Sequence, residues 1–246
     1  LGDAAQAEEY RAQAVRLPAD VGWIDPLVEE YMHWAVLKRQ KYKYADELEA
    51  AGRFRDAAAV LRPLAAEYPD DYLAQMTLGK VLAQIGDYAE AENDLRRALL
   101  LGPDKVQTHY YLSLLLLKEG EGRAGDDRGR AEALFREAAD LARQALAIKS
   151  DYGYAHMALG LSLKHLGKRA DAEAALRQAL QCNPELADPH FQLGELLVED
   201  GKGTEARPYL EQALRLSPAG APWRQEAQDL LARLPDGSGT GKPAGP

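Results

Sequence analysis

A 34-residue period runs through most of this chain and constrains its fold more than any other feature. Pro69 and Pro103 are 34 residues apart, as are Pro184 and Pro218, Ala57 and Ala91, Ala172 and Ala206, and Leu159 and Leu193. Landmarks of different chemistry on one spacing mean one structural unit copied along the chain, and periods of this size belong to stacked repeats. Composition narrows what the unit can be. Forty-three Ala and 38 Leu stand against eight Val and three Ile. So few β-branched residues cannot furnish a pleated surface, and the expected fold is all-α.

Within a period, two amphipathic stretches of about a dozen residues flank a glycine. Gly86, Gly167 and Gly201 occupy that place, where a residue free to take positive φ ends one helix and lets the next fold back. Small residues at Ala57, Ala91, Ala172 and Ala206 let the two helices approach closely, and Pro69, Pro103, Pro184 and Pro218 stop the second helix. One pair cannot bury its apolar face alone, so neighbouring pairs must stack.

Leu78, Gly79, Gly86, Tyr88, Ala91, Leu95, Ala98 and Pro103, with Leu159-Gly160 and Leu193-Gly194 repeating the Leu-Gly pair, resemble the tetratricopeptide repeat family. The resemblance implies an α-α superhelix, a right-handed solenoid of antiparallel helix pairs. Repeats are placed at 38–71, 72–105, 106–152, 153–186 and 187–220, followed by a capping helix at 221–234. Together the repeats and the capping helix cover about four-fifths of the chain.

Three segments depart from the period. Leu112 and Leu159 are 47 residues apart, 13 more than one period, so the third repeat carries an insertion near 120–132, beginning at Gly120. Its glycines and charges read as an exposed loop leading into an extended second helix; a tolerated surface insertion and a contact loop are both open readings. In residues 1–37, Ala7 through Pro18 reads as the second helix of an earlier repeat. Asp25-Pro26 then opens a helix through Val28, Tyr31 and Trp34, and the pattern leaves open whether it breaks near Gln40 or runs into the first repeat. The Pro/Gly-rich residues 235–246 are expected to be disordered. The first residue is Leu1, which reads as a processed product or a fragment, so the compartment stays open: cytoplasmic or, with a leader removed, periplasmic or secreted.

The chain carries a net charge of −9, and its longest basic cluster is the short stretch from Lys38 to Lys43, which makes nucleic acid a poor partner. The apolar run around Leu114–Leu117 falls far short of the roughly 20 residues that span a bilayer, so no direct membrane insertion is expected. Catalytic, metal and cofactor chemistry is not expected either. Gly241-Lys242 superficially resembles a phosphate loop, but Asp236 and Pro243 stand where its leading Gly and its Ser or Thr belong. His109, His156 and His190 fall at one place in three successive repeats, about 8–10 Å apart if helices pack normally, so repeat position explains them better than a shared ion. Cys182 is the sole cysteine; it reads as a small packing residue and rules out an internal disulfide and covalent c-type haem.

The resemblance also implies that the first helix of each pair lines a concave groove that receives a partner's peptide or helix. Its fifth and ninth residues face inward: Tyr42 and Asp46, Met76 and Lys80, Tyr110 and Leu114, Met157 and Leu161, and Phe191 and Glu195. Chaperone-binding members clamp a terminal carboxylate with Lys and Asn, and here only Lys80 is cationic. Glycosyltransferase-linked members carry an Asn ladder one place after the fifth residue, where this chain has Lys43, Thr77, Tyr111, Ala158 and Gln192. What is left is an adaptable groove of Met and aromatic side chains, with Asp46 and Glu195 favouring a partner with basic flanks. The expected function is a non-enzymatic protein-interaction scaffold. The alternatives are a recruitment domain of a larger enzyme or secretion-system protein, or a permanent structural subunit, and the groove filled by the chain's own segments is the competing structural reading.

Overall fold

Asp71 shows how the sequence starts a helix. Its carboxylate accepts the N–H of Leu73 at 3.0 Å, satisfying one of the donors that the first turn leaves without a partner. At the other end of the same helix Gly86 adopts φ 85° and its neighbour Asp87 donates its N–H back to Leu82. Gly52, Gly167 and Gly201 take positive φ in the same way, so four pair turns rest on a residue that pays no steric penalty there.

A computed structural model describes residues 26–218 and 220–234, with side chains from residue 36 onward. The readings made of residues 1–25 and 235–246 lie outside the described residues. Eleven helices and no strand occur among the described residues: α1 (Pro26–Ala50), α2 (Phe54–Glu67), α3 (Tyr72–Ile85), α4 (Tyr88–Leu101), α5 (Val106–Arg123), α6 (Arg128–Ile148), α7 (Gly153–His165), α8 (Arg169–Cys182), α9 (Ala187–Glu199), α10 (Gly203–Leu216) and α11 (Arg224–Arg233). The open question about the first helix is settled, since α1 passes Gln40 without a break.

The described residues form two compact units, divided between Pro103 and Asp104. In the first, α1 packs on α2, α2 on α3 and α3 on α4; in the second, each helix from α5 to α11 packs on the next, and α5 touches α7 as α9 touches α11. The repeated small residues sit at the crossings. Ala91, Ala172 and Ala206 are fully buried, and a Cβ on Gly79, Gly160 or Gly194 would lie 2.7 to 2.8 Å from Leu95, Leu176 or Leu210. At the same place in the α5–α6 pair stands Ser113, whose hydroxyl donates to the Ala138 carbonyl at 2.8 Å. Exposed ion pairs join successive pairs, as Arg62 joins Glu90 at 2.5 Å. Each is worth about 0–1 kcal/mol, so stability rests on the Leu and Ala core.

The insertion differs from its expectation. In place of a loop over 120–132, α5 continues to Arg123 and α6 starts at Arg128, leaving residues 124–127 to make the turn. Two contacts account for it. Gly120 packs so closely on Phe135 that a Cβ would sit 2.5 Å from the ring, and Asp127 accepts the Arg130 N–H at 2.9 Å to cap α6.

Candidate functional site

In the first unit, Tyr42 on α1 reaches the start of α3, where its phenol donates to Asp71 at 2.9 Å. Lys38 pairs with the same carboxylate and lies 4.6 Å over the Tyr68 ring. Partial burial and the Asp71 charge both push the Tyr42 phenol above its usual range, so it remains a donor. Asp46 is exposed and Met76 half-buried. Lys80 is paired with Glu49 at 2.8 Å, so its charge is largely compensated.

In the second unit, Tyr110 on α5 is the centre of an aromatic cluster. Its ring centroid is 5.1 Å from Tyr111, 6.1 Å from Tyr152 and 5.4 Å from Tyr154, and Tyr152 and Tyr154 are 5.7 Å apart. Tyr110 is buried, Tyr111 and Tyr152 are half-buried, and Tyr154 is 39% exposed. Leu114 follows Tyr110 by four residues on α5, and Met157 and Leu161 follow Tyr154 by three and seven on α7, the spacings that share a helix face. Met157 is buried, while Leu114 and Leu161 are half-buried.

Two other positions are covered by the chain itself. Phe191 on α9 is 2% exposed, with Trp223 stacked on it at 4.8 Å; the indole N–H donates to Asp188 at 2.7 Å. Glu195 accepts from Lys164 at 2.5 Å, so its charge is already neutralised. Sequence reasoning missed both covers, although each partner lies about one period away along the chain.

The three repeat-equivalent histidines bond to main chain. His109 contacts the Lys105 carbonyl at 3.2 Å, His156 that of Ser150 at 2.9 Å and His190 that of Pro184 at 2.9 Å. Each ties the start of one helix to the segment before it. Burial holds the His190 imidazole below its ordinary pKa. Among the described residues no group of His, Cys, Asp and Glu side chains is placed to hold a metal ion, and no helix is long and apolar enough to cross a membrane. A cleft of about 440 Å³ lies beside the α5–α6 turn; there Phe135 stacks on His165 at 4.4 Å.

A tetratricopeptide repeat family model matches residues 42–104, 76–145 and 157–221, more than half of the chain. The chain belongs to the tetratricopeptide repeat family. Among characterised relatives of this repeat chain, the cellulose synthase 2 operon protein C of Komagataeibacter xylinus is 28% identical over 190 residues, 69% of this chain. The match spans 14% of that protein's length. Among solved structures, a thermophilic repeat protein of Thermus thermophilus superposes with a TM-score of 0.71 at 24% identity, covering 79% of this chain and 99% of that one. MamA from Desulfovibrio magneticus superposes with a TM-score of 0.55 at 20% identity over 73% of this chain and 94% of that one. At these identities both comparisons establish the fold alone.

Proposed function

We propose that the chain is a non-enzymatic protein-interaction scaffold that takes up a peptide or helix of a partner on the face formed by the first helices of its repeats. The observation that carries this reading is the contact of Tyr110 on α5 with the exposed Tyr154 on α7 in the second unit, with half-buried Leu114 and Leu161 at face-sharing spacings from them. Tyr154 stays 39% exposed, a large aromatic that is not folded into the core. Anchors in such a surface contribute on the order of 1.5–3 kcal/mol each before ordering costs. Within the first unit, taken by itself, Tyr42, Asp46, Met76 and Lys80 are the residues proposed to face a partner, with Asp46 supplying the acidic character that favours basic flanks. In the second unit Phe191 and Glu195 are the covered end of the proposed face.

The test is capture of partners by the intact chain, followed by the same capture with Tyr154→Ala and Met157→Ala. Loss of the captured protein with helicity retained supports the groove. Undiminished capture by both variants refutes it.

A second reading, that the repeats are the recruitment part of a longer protein, is favoured by the match to a small fraction of the cellulose synthase operon protein. In that case the partner is sought among products of an operon like the one in that protein's name. The complete reading frame and the identity of the captured proteins test it.

A further inference from the structure

One face of α1 is uncovered where the same face of later first helices is closed. A step of one period carries Gln40, Tyr44 and Glu47 onto Ala74, Leu78 and Val81 of α3, which are 0%, 4% and 0% exposed. This is the side of α3 that meets the preceding helix: α2 packs on α3, and Gln75 donates to the Ala65 carbonyl of α2 at 3.1 Å. In the second unit α8 packs on α9 in the same way, and Leu193 and Leu196 at the corresponding places are fully buried. On α1 all three places are exposed. Tyr44 is 51% exposed and Leu37, seven residues before it on the same face, 45%.

The sequence before α1 carries the pattern of a helix that fits this face. Ala7 and Ala14 are seven residues apart, as are Ala91 and Ala98, Ala172 and Ala179, and Ala206 and Ala213, all fully buried in the second helices of their pairs. Aligning Ala7 with Ala172 sets Glu8 at the place of Glu173, and Arg53 stands at the place of Lys202. Glu173 and Lys202 join successive pairs at 2.9 Å, so Glu8 and Arg53 repeat the charges of an ion pair already seen between repeats. Arg11 falls where Leu95 and Leu176 are buried under Gly79 and Gly160 of their own first helices. The segment therefore has a charged outer face, which closing helices of repeat arrays need. Gln40 and Glu47 require polar partners once covered, and the segment offers Tyr10 and Gln13. The chain can also make the return. Eight steps from Pro18 to Pro26 reach about 26 Å when extended, and Pro26 lies about 21 Å along the helix from Gln40.

We propose that residues 7–18, which lie outside the described residues, form a helix that docks antiparallel on the α1 face of Leu37, Gln40, Tyr44 and Glu47. The docked helix closes this end of the first unit and keeps the face from stacking on a second copy of the chain. The proposal uses neither Tyr42 nor Asp46, so it stands or falls apart from the concave-face reading.

The experiment places a thiol on the face, as Gln40→Cys in the full chain with Cys182→Ser, and follows its modification by a water-soluble maleimide. Ala14→Glu puts a charge where Ala98, Ala179 and Ala213 are fully buried, and is expected to speed the modification about tenfold by releasing the helix. Ala12→Glu is the control, since Ala12 stands at the exposed place of Arg62 and Arg96, and is expected to leave the rate unchanged. Circular dichroism of the remaining repeats is expected to stay the same. Equally fast modification in all three chains overturns the proposal. Protection that survives Ala14→Glu assigns the face to some other cover and overturns it too. Protection that is lost on dilution marks a second copy as the occupant in place of residues 7–18.

Discussion

Phe191 and Trp223 lie ring on ring, their centroids 4.8 Å apart and their planes within 7°. Phe191, expected from the repeat pattern to face a partner, is closed over by Trp223 at the start of the last described helix. Leu210, Ala213 and Ala227 complete the cluster beneath it, so Trp223 serves as the lid of that core.

Removing this lid is expected to loosen the end of the array first. Trp223→Ala costs on the order of 2–4 kcal/mol, at or below the range for large aromatics in cores because the indole is only partly buried. Hydrogen exchange in α11 and α10 is expected to speed up more than in α5 or α6, since repeat arrays open locally. Uniform acceleration across the second unit would contradict this.

The glycines of the helix crossings make a sharper test. In Gly160→Ala the new methyl meets Leu176 at 2.8 Å, and overpacking of this kind costs about 1–3 kcal/mol. Gly122→Ala on α5 meets nothing within 4 Å and is expected to be neutral or to stabilise by up to about 1 kcal/mol through helix propensity. Urea unfolding of the two variants is expected to move the midpoint in these different ways.

His190 couples the second unit to acid. Its imidazole is held below its ordinary value by burial, while its Nε2–H donates to Pro184 and Nδ1 is buried without a partner. The unfolded chain therefore takes up the proton first as pH falls. This contribution is complete above about pH 6.5 and is lost progressively below it. His190→Gln is expected to flatten the dependence of Tm on pH between about 6.5 and 5; an unchanged slope would remove His190 as its source.

Asp94 has the opposite sign. Burial, with the nearby Glu90 charge, pushes its carboxyl up to about 6, and one oxygen is buried without a partner. A raised acid stabilises the fold below the unfolded value of 3.8 and loses that contribution as pH rises through about 6. Asp94→Asn is therefore expected to raise Tm at neutral pH by a few degrees and to change it little below about pH 4. Equal shifts at both pH values would count against the charge as the cause.

The glycine turns and the all-α class were legible because each follows from local chemistry repeated at one spacing. The extra helix of the third pair was not. Gly120, Gly122 and Gly125 lie in or beside it, and glycine inside a helix costs about 1 kcal/mol against alanine. The close seating of Gly120 on Phe135 and the Asp127 cap of α6 show why helix prevails there. At the candidate site, periodicity gave the positions, yet their surroundings depend on residues about one repeat away, as with Lys164 to Glu195 and Phe191 to Trp223. Looking one period ahead for a complementary side chain would have found both.

The third pair has a further consequence. Its helices have 18 and 21 residues, where the first helices α7 and α9 have 13 and the second helices α8 and α10 have 14, gains of about one and a half and two turns at 3.6 residues per turn. The extra residues lie on either side of the α5–α6 turn, at the tip of the pair, so the turns that pack on α7 keep their phase. The height of one repeat can therefore change without disturbing the lateral register of the array. Substitutions at that tip, including the cleft beside it, are free to diverge independently of the residues that hold the repeats together.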